Sequence, residues 1–229
     1  MTFYNLLEGR LKARFGVIWV QTSDLRRAYS QFKEVAYEND YNLYKWTCVE
    51  GLMELGLTMD TVLSIGDHVK DARQILTEVL RRMDEYDNEI FVLEGFQDFI
   101  HYADVKALIQ KLAQEMPRTQ RPKHIVLLSP RVLIPEELAR FIDVLVLPEP
   151  TEQEYITMLV EESKAQGGKV EFERIAGLVA AVKGLTELEA RGIFRLVGVE
   201  TEFGEGAQEV ASRERTRIDE KMTELGLEE

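Results

Sequence analysis

Two apolar runs decide the fold: Ile90-Phe91-Val92-Leu93 and His124-Ile125-Val126-Leu127-Leu128-Ser129. Neither run alternates apolar with polar residues, which is the pattern of strands buried on both faces of a parallel sheet. A third run, Val17-Ile18-Trp19-Val20-Gln21-Thr22, has the same character. Because ligands bind outside the carboxyl ends of such strands, the residues just past these runs are expected to line a crevice.

The rest of the first 150 residues alternates strands with helices. Two further strands are predicted at 43–49 and 144–147, and residues 57–66 are predicted to be a loop with one turn of helix. Amphipathic helices are predicted at 2–15, 25–37, 67–86 and 104–116. Strands separated by helices of this length predict right-handed crossovers. The expected fold is therefore α/β, with a mostly parallel five-stranded sheet and helices on both faces.

The character of the sequence changes after Pro150. Three helical stretches, at 151–165, 171–182 and 185–197, predict a small helical domain. From Thr201 onwards Glu and Arg become frequent, so the end of the chain is predicted to be an acidic tail that is flexible or ordered by a partner. The predicted organisation is an α/β core at 1–150, a helical domain at 151–200 and a tail at 201–229.

Composition narrows the class of function. The 229 residues carry a formal net charge of -13, which argues against nucleic-acid binding because that requires clustered Lys and Arg. The single cysteine, Cys48, excludes an intrachain disulfide and fits a reducing compartment. The first 15 residues do not have the pattern of a signal peptide, and no apolar run approaches the length of a membrane span. We therefore expect a soluble, cytoplasmic protein that does not bind membranes.

The turn after the first strand, Gln21-Thr22-Ser23-Asp24, is where a phosphate-binding loop would lie. Such a loop needs glycines that open backbone N–H groups to phosphates, a Lys, and a Ser or Thr for Mg²⁺. This turn has no glycine and no lysine, and Asp24 places a negative charge where phosphates would sit. Two interpretations remain: the start of the helix binds an anion, or Thr22, Ser23 or Asp24 only caps the helix.

The strand at 90–93 ends at Glu94-Gly95. Metal-dependent phosphoryl transfer uses an acidic residue for Mg²⁺ and a second group to orient the nucleophile. Glu94 can hold a cation through water, whereas Gly95 cannot act as a base. Ser129 either touches a terminal phosphate or is an ordinary strand-end residue. The chain has three histidines, His68, His101 and His124. None of them has a Cys or a second His at the spacing of metal ligands, so we predict no metal site and no catalytic residue.

Several strings resemble the AAA+ ATPase fold, in which a P-loop core is followed by a helical lid. Residues 134–154 are similar to the passage from an arginine-bearing helix to the lid, and Gly184-Leu185-Thr186 resembles the turn that opens a later lid helix. A sensor arginine often follows that turn in the family, and Arg191 is the nearest candidate here.

A narrower resemblance, covering about residues 2–199, is to the Walker-degenerate amino-terminal domain of a bacterial and plastid AAA family. The strings that carry it are Val17-Ile18-Trp19-Val20-Gln21-Thr22, Leu43-Tyr44-Lys45-Trp46-Thr47 and Phe91-Val92-Leu93-Glu94-Gly95-Phe96. Members typically carry this domain ahead of a second, intact ATPase domain. We therefore expect the present sequence to be either a piece of a longer chain or a degenerate half encoded alone.

Two hypotheses about function follow. The first is a catalytically degenerate AAA+-like module that needs no cofactor. It would assemble with and regulate an active AAA+ ATPase or another protein partner, or associate with itself, through the lid or the acidic tail. The second is an atypical nucleotide-binding protein or ATPase that takes ATP or ADP. Its site would be built from Thr22, Ser23, Glu94, Ser129 and Arg191. We favour the first, because the glycine-rich loop and the acidic pair are both missing.

Overall fold

The computed structural model describes residues 2–58, 61–85 and 87–226. The chain divides into two compact units, Met1–Leu147 and Pro148–Glu229. The first unit is an α/β domain built on one sheet, and the second unit is built from helices. The α/β class and the order of core and helical part are those that the sequence predicts.

Seven strands form the sheet of the first unit. They are β1 (Val17–Gln21), β2 (Asn42–Thr47), β3 (Gly51–Leu55), β4 (Val62–Gly66), β5 (Glu89–Glu94), β6 (Lys123–Ser129) and β7 (Ile142–Val146). Their order across the sheet is β4-β3-β2-β5-β6-β1-β7. The five strands from β2 to β7 in this order are parallel, whereas β3 and β4 extend the sheet as antiparallel neighbours.

The prediction of five strands is therefore wrong: the sheet has seven, and the five predicted strands are its parallel part. The missed strands are β3 and β4. Of the segment 57–66, predicted to be a loop with one turn of helix, residues 62–66 form β4, and residues 59–60 lie outside the described residues. The chain reverses sharply between β2 and β3. Gly51, the first residue of β3, has a φ of +79°, and a Cβ there would collide with the carbonyl oxygen of Gly66. β4 lies at the edge and is mostly exposed, so it lacks the buried pattern by which the other strands were recognised.

Eight helices accompany the sheet in the described residues. Those of the first unit are α1 (Phe3–Lys12), α2 (Leu25–Glu38), α3 (Ala72–Arg81) and α4 (Ala103–Glu115). Those of the second are α5 (Glu152–Ala165), α6 (Phe172–Val182), α7 (Glu187–Thr201) and α8 (Ala207–Glu224). The helix predicted at 67–86 begins later, because Asp71 forms a capping box with Gln74. Its predicted end, Tyr86, lies outside the described residues.

The sheet is covered on both faces, as its apolar runs predict. Successive residues of a strand point to opposite faces. In β1, Val17 and Trp19 belong to the core that includes α3 and α4, whereas Ile18 and Val20 belong to the core that includes α1 and α2. All seven residues of β6 are buried. Covering both faces explains why these strands show no alternation of apolar and polar residues.

The second unit has its own apolar core, to which α5, α6, α7 and α8 all contribute. The segment 201–229, for which the sequence predicts a separate acidic tail, contains α8. Phe203, Val210 and Ala211 are buried in the core of this unit. The structure therefore places the first part of that segment inside the helical unit.

His124 is a buried histidine on β6, with no exposed surface. Its Nδ1 lies 2.7 Å from the carbonyl oxygen of Phe15, and its Nε2 lies 3.3 Å from the hydroxyl of Tyr41. A carbonyl can only accept, so Nδ1 carries the proton and Nε2 accepts from Tyr41. Burial lowers the pKa of His124 to about 4, the hydrogen bond to Phe15 opposes this, and the nearby charge of Arg14 adds to it.

The burial of His124 leads us to expect that the fold becomes less stable in acid. Between pH 6.5 and about 4 the unfolded chain binds a proton at His124 that the folded chain does not, so stability falls as pH falls through this range. We expect His124 to account for roughly 2 kcal/mol of lost unfolding free energy between pH 7.5 and pH 5. Urea denaturation at both pH values measures the difference. His124→Asn should remove this part of the loss, and His68→Asn, at an exposed histidine, should retain it.

Candidate functional site

The carboxyl ends of β5, β6 and β1 meet at one edge of the sheet, since the three strands are parallel neighbours. The pairing continues past the strands: the amide of Thr22 donates to the carbonyl of Ser129 (3.0 Å), and the amide of Gly95 donates to the carbonyl of Leu128 (3.1 Å). The backbone of β6 thus holds the segments 21–24 and 94–95 on either side of itself. Four of the predicted site residues, Thr22, Ser23, Glu94 and Ser129, lie at this edge.

The turn from β1 to α2 is closed by its own side chains. The hydroxyl of Thr22 accepts from the amide of Asp24 at 2.9 Å, and α2 begins at the next residue. Asp24 is buried, with 6% of its surface exposed, and its carboxylate lies 3.7 Å from the guanidinium of Arg27. Ser23 is exposed. A carboxylate, accompanied by an arginine from the first turn of the helix, therefore stands at the helix start.

Glu94 is engaged by two side chains from neighbouring elements. Its Oε2 accepts a hydrogen bond from the hydroxyl of Tyr29 on α2, at 3.2 Å, and lies 3.7 Å from the ammonium of Lys45 on β2. Lys45 also lies 3.1 Å from Glu50 and 5.8 Å from the centre of the Tyr29 ring. Burial and the adjacent charge of Glu94 raise the pKa of Tyr29 well above its usual range, so Tyr29 remains a proton donor.

Sequence reasoning did not assign Tyr29 or Lys45 to this edge. Lys45 reaches this edge because β2 runs parallel to β5. It lies opposite Val92, which is two residues before Glu94 on β5. The signal that could have identified it is a lone charge inside a buried strand, since Lys45 is flanked by Tyr44 and Trp46. For Tyr29 the signal is weaker, because aromatic residues at this helical spacing usually contribute to the core.

The hydroxyl of Ser129 lies inside the protein and does not face a crevice. Its Oγ accepts from the indole Nε1–H of Trp19 at 2.8 Å and donates to the carbonyl of Arg131 at 2.8 Å. Ser129 is 1% exposed, and Trp19 is fully buried. A buried indole needs an acceptor, so this serine serves the packing of β1 against β6.

Gly95 follows Glu94 in a left-handed conformation, with φ of +72°. A Cβ at this position would meet open space, so the backbone angle and not crowding favours glycine. The turn directs Phe96 back into the core, where its ring contacts Trp46 at 5.7 Å between centroids. The residue next to Glu94 therefore supplies a turn and has no side chain that could act on a ligand.

Arg191, the remaining predicted site residue, lies on α7 in the second unit. Its guanidinium contacts three carboxylates: Glu161 at 2.7 Å, Glu162 at 3.0 Å and Glu187 at 2.7 Å. Burial alone would lower the pKa of Arg191, but these hydrogen bonds raise it above its ordinary value. Arg191, with 9% of its surface exposed, joins α5 to α7 through an ionic cluster in which Glu162 and Glu187 are also buried and Glu161 is exposed.

We searched residues 2–58, 61–85 and 87–226 for metal sites and membrane spans. These residues contain no group of three or more His, Cys, Asp or Glu side chains placed to hold a metal ion. None of their helices combines the length and apolar character that a membrane span requires.

A mostly parallel sheet with helices on both faces, followed in sequence by a helical unit, is the layout of AAA+ ATPase-like proteins. More narrowly, the chain belongs to the family described as the SpoVK-like AAA ATPase, N-terminal domain, which matches residues 3–147. This agrees with the resemblance found in the sequence and with the boundary of the first unit at Leu147.

Individual relatives are distant. An AAA domain-containing protein of Pyropia yezoensis, ycf46, is 24% identical over 187 residues, which are 81% of this chain and 36% of that protein. This chain therefore spans about a third of that relative.

Two solved structures share the fold. PCH-2 of C. elegans matches with a TM-score of 0.59 and 8% identity, over 95% of this chain and 68% of the other. The HORMA:CdnC:Trip13 complex of E. coli MS115-1 matches with a TM-score of 0.57 and 12% identity, over 93% and 77%. At these identities the likeness concerns the fold alone.

The contact between Ser129 and Trp19 generates a prediction. Ser129→Ala leaves a buried indole N–H without its acceptor, so we expect a loss of about 1 to 2 kcal/mol in unfolding free energy. Urea denaturation followed by tryptophan fluorescence measures the loss. Ser23→Ala, at an exposed serine of the same edge, should change the value by less than about 0.5 kcal/mol. Equal effects of the two substitutions would contradict the structural role of Ser129.

Proposed function

We propose that this chain is a catalytically degenerate AAA+-like module that assembles with and regulates an active ATPase or another protein partner. The observation that carries the proposal is the engagement of Glu94 by Lys45 and Tyr29. In an active enzyme of this layout, the carboxylate at this strand end would serve a metal ion. In this chain the ammonium of Lys45 and the hydroxyl of Tyr29 already lie beside the carboxylate of Glu94.

The surroundings of Glu94 do not suit Mg²⁺. That ion requires near-octahedral oxygen ligands at about 2.0 to 2.1 Å, usually one or two carboxylates together with phosphates and water. The ammonium of Lys45, 3.7 Å from the carboxylate, would repel a divalent cation bound there. Gly95 cannot supply a second carboxylate or orient a water molecule.

The turn from β1 to α2 does not suit a triphosphate either. Phosphate loops present several backbone N–H groups and a lysine to the ligand. This turn contains neither glycine nor lysine, and the amide of Asp24 is already bonded to the Thr22 hydroxyl. The buried carboxylate of Asp24 stands at the helix start, where the helix dipole would otherwise attract an anion. The residues present therefore do not fit Mg²⁺-bound ATP.

Assembly with protein is the other half of the proposal. The matching family is named as the amino-terminal domain of an AAA ATPase, and one structure of the same fold is of a HORMA:CdnC:Trip13 complex. A net charge of -13 disfavours nucleic acid as the partner. We infer that the partner is an AAA+ ATPase domain in the cytoplasm, on another chain or on a longer form of this one, or a second copy of this chain.

The alternative function is nucleotide binding at an atypical site. It is favoured by one observation: Thr22, Glu94 and Ser129 do meet at the edge where α/β proteins bind ligands. Against it, the hydroxyls of Thr22 and Ser129 and the carboxylate of Glu94 all have partners within the chain. Binding would have to break these contacts, so we rank this function second.

A phosphate-release assay tests the proposal. We expect the purified chain with Mg²⁺ and ATP to release no more phosphate than buffer, and Glu94→Gln to behave identically. In the second arm, an AAA+ ATPase is captured from the source cells on the immobilised chain. Its rate of phosphate release is then measured with and without excess chain, and we expect this rate to change at least twofold. Turnover by the chain alone that Glu94→Gln abolishes contradicts degeneracy, and an unchanged rate in the second arm contradicts regulation.

A further inference from the structure

A groove of about 210 Å³ lies between α7 and α8, two consecutive helices of the second unit that pack against each other. Four residues of α7 and two of α8 line it: Glu189, Gly192, Ile193, Leu196, Glu214 and Ile218. Its floor is therefore apolar. The two charged residues of the lining, one on each helix, are both glutamates.

Gly192 is the unusual residue of this groove. The second unit has two other glycines inside its helices, and internal contacts account for both. A Cβ at Gly177 would lie 2.8 Å from the side chain of Gln208, and a Cβ at Gly198 would lie 2.7 Å from the ring of Phe203. A Cβ at Gly192 would meet no atom within 4 Å. Glycine is a poor helix former, and nothing inside the unit requires it here, so its effect is to leave the backbone of α7 open to an approaching chain.

Exposed apolar residues extend the groove along both helices. On α7, Leu188 lies one turn before the glycine and is 75% exposed. On α8, Met222 and Leu225 follow Ile218 at spacings of four and seven residues, which places the three side chains on one face. Every residue from 219 to 226 is exposed, so the rest of the described chain does not cover the end of α8. A short uncovered stretch of helix is marginal in water, and an apolar stripe along it indicates a binding face.

The charge of the second unit determines what this face can bind. Residues 148–229 contain 19 Asp and Glu against 10 Lys and Arg, so this unit carries most of the net charge of -13. A basic chain is attracted to such a surface. A second copy of this chain brings the same excess of negative charge and is repelled, so it is the less suitable occupant.

Both glutamates of the groove are able to receive a cation from outside the chain. Glu189 caps α7 with Oε2, which accepts from the amide of Thr186 at 3.0 Å and from its hydroxyl at 2.7 Å. No cation among the described residues forms an ion pair with Glu189. Glu214 is paired with Arg213 at 3.1 Å and Arg217 at 3.7 Å, both on its own helix. These arginines are largely exposed, and exposed ion pairs contribute little, so a partner's cation can replace them.

We propose that the groove between α7 and α8 is a docking site for a basic amphipathic helix of a partner protein. Two packed helices present a groove into which a third helix lays its apolar face, with anchors three or four residues apart. Gly192 lets that helix approach closely, and its Lys or Arg side chains reach Glu189 and Glu214. The inference rests on the proposed function and narrows its partner to a protein that presents such a helix.

Fluorescence anisotropy with a defined probe tests the docking site. The probe is a labelled helical peptide of about 18 residues with Leu on one face and Lys on the other, and its control carries Glu in place of every Lys. We expect the basic peptide to bind the purified chain with a Kd of roughly 1 to 100 µM that weakens with salt, and the acidic peptide not to bind. No binding of the basic peptide up to about 500 µM, or equal binding of both peptides, overturns the proposal. Self-association of the chain that the basic peptide reverses makes a second copy the occupant and also overturns it.

Gly192→Leu fills the groove and at the same time improves the helix. We expect this variant to raise the urea midpoint of unfolding and to weaken binding of the basic peptide at least about tenfold. Gly9→Leu is the matched control, because Gly9 is also an exposed helical glycine whose Cβ would meet no atom within 4 Å. It should bind like the unmodified chain. Equal binding by the two variants would show only a general attraction between an acidic protein and a basic peptide, and the docking site would be refuted.

Hydrogen exchange on the unmodified chain gives a readout that needs no variant. The basic peptide should slow amide exchange in α7 and α8 and leave α2 unchanged, and exchange that stays the same in α7 and α8 contradicts the docking site. These results are separate from those of the ATPase assay. A chain that changes the rate of an ATPase without binding the peptide refutes the groove alone. A chain that binds the peptide in the groove without changing that rate refutes regulation alone.

Discussion

The parallel pairing of β6 with β5 on one side and β1 on the other is the constraint on which the rest of the first unit depends. β6 is buried along its whole length, and its register with each neighbour determines which residues reach the carboxyl edge together. The hydrogen bonds of Thr22 and Gly95 to the backbone of β6 extend this alignment beyond the strands. The same strand carries Ser129 at one end and, at the other, Lys123 in a fully buried ion pair with Glu89 at 2.7 Å.

A second theme is that the charged groups of the candidate site have partners within the chain. Asp24 has Arg27, Glu94 has Lys45 and the hydroxyl of Tyr29, and Arg191 has three carboxylates. Partly buried charges are costly unless they are paired, so these contacts let the scaffold remain stable without a ligand. On our proposal, this internal pairing allows an AAA+-like core to serve as an assembly module.

Sequence alone predicted the parts of the fold that rest on strong, regular patterns. The parallel strands were recognisable because burial on both faces leaves unbroken apolar runs such as Ile90-Phe91-Val92-Leu93. β4 was missed because it is a short, mostly exposed strand at the edge of the sheet. β3 was missed although four of its five residues are buried, because its apolar run is short and is interrupted by Glu54. The sequence also could not show that α8 packs into the helical unit, since only a few of its residues, such as Val210 and Ala211, are buried.

For the candidate site, sequence located the edge but not the contacts. Thr22, Glu94 and Ser129 follow from strand ends, yet the partners that engage Glu94 come from a different strand and from the middle of a helix. Isothermal titration calorimetry tests the central claim most directly, with ATP and with ADP, each with and without Mg²⁺, at about 100 µM protein. Our account predicts no heat of binding under any of the four conditions. Micromolar binding that depends on Mg²⁺ and is lost in Glu94→Gln would contradict it, because Glu94 would then serve a metal ion despite Lys45.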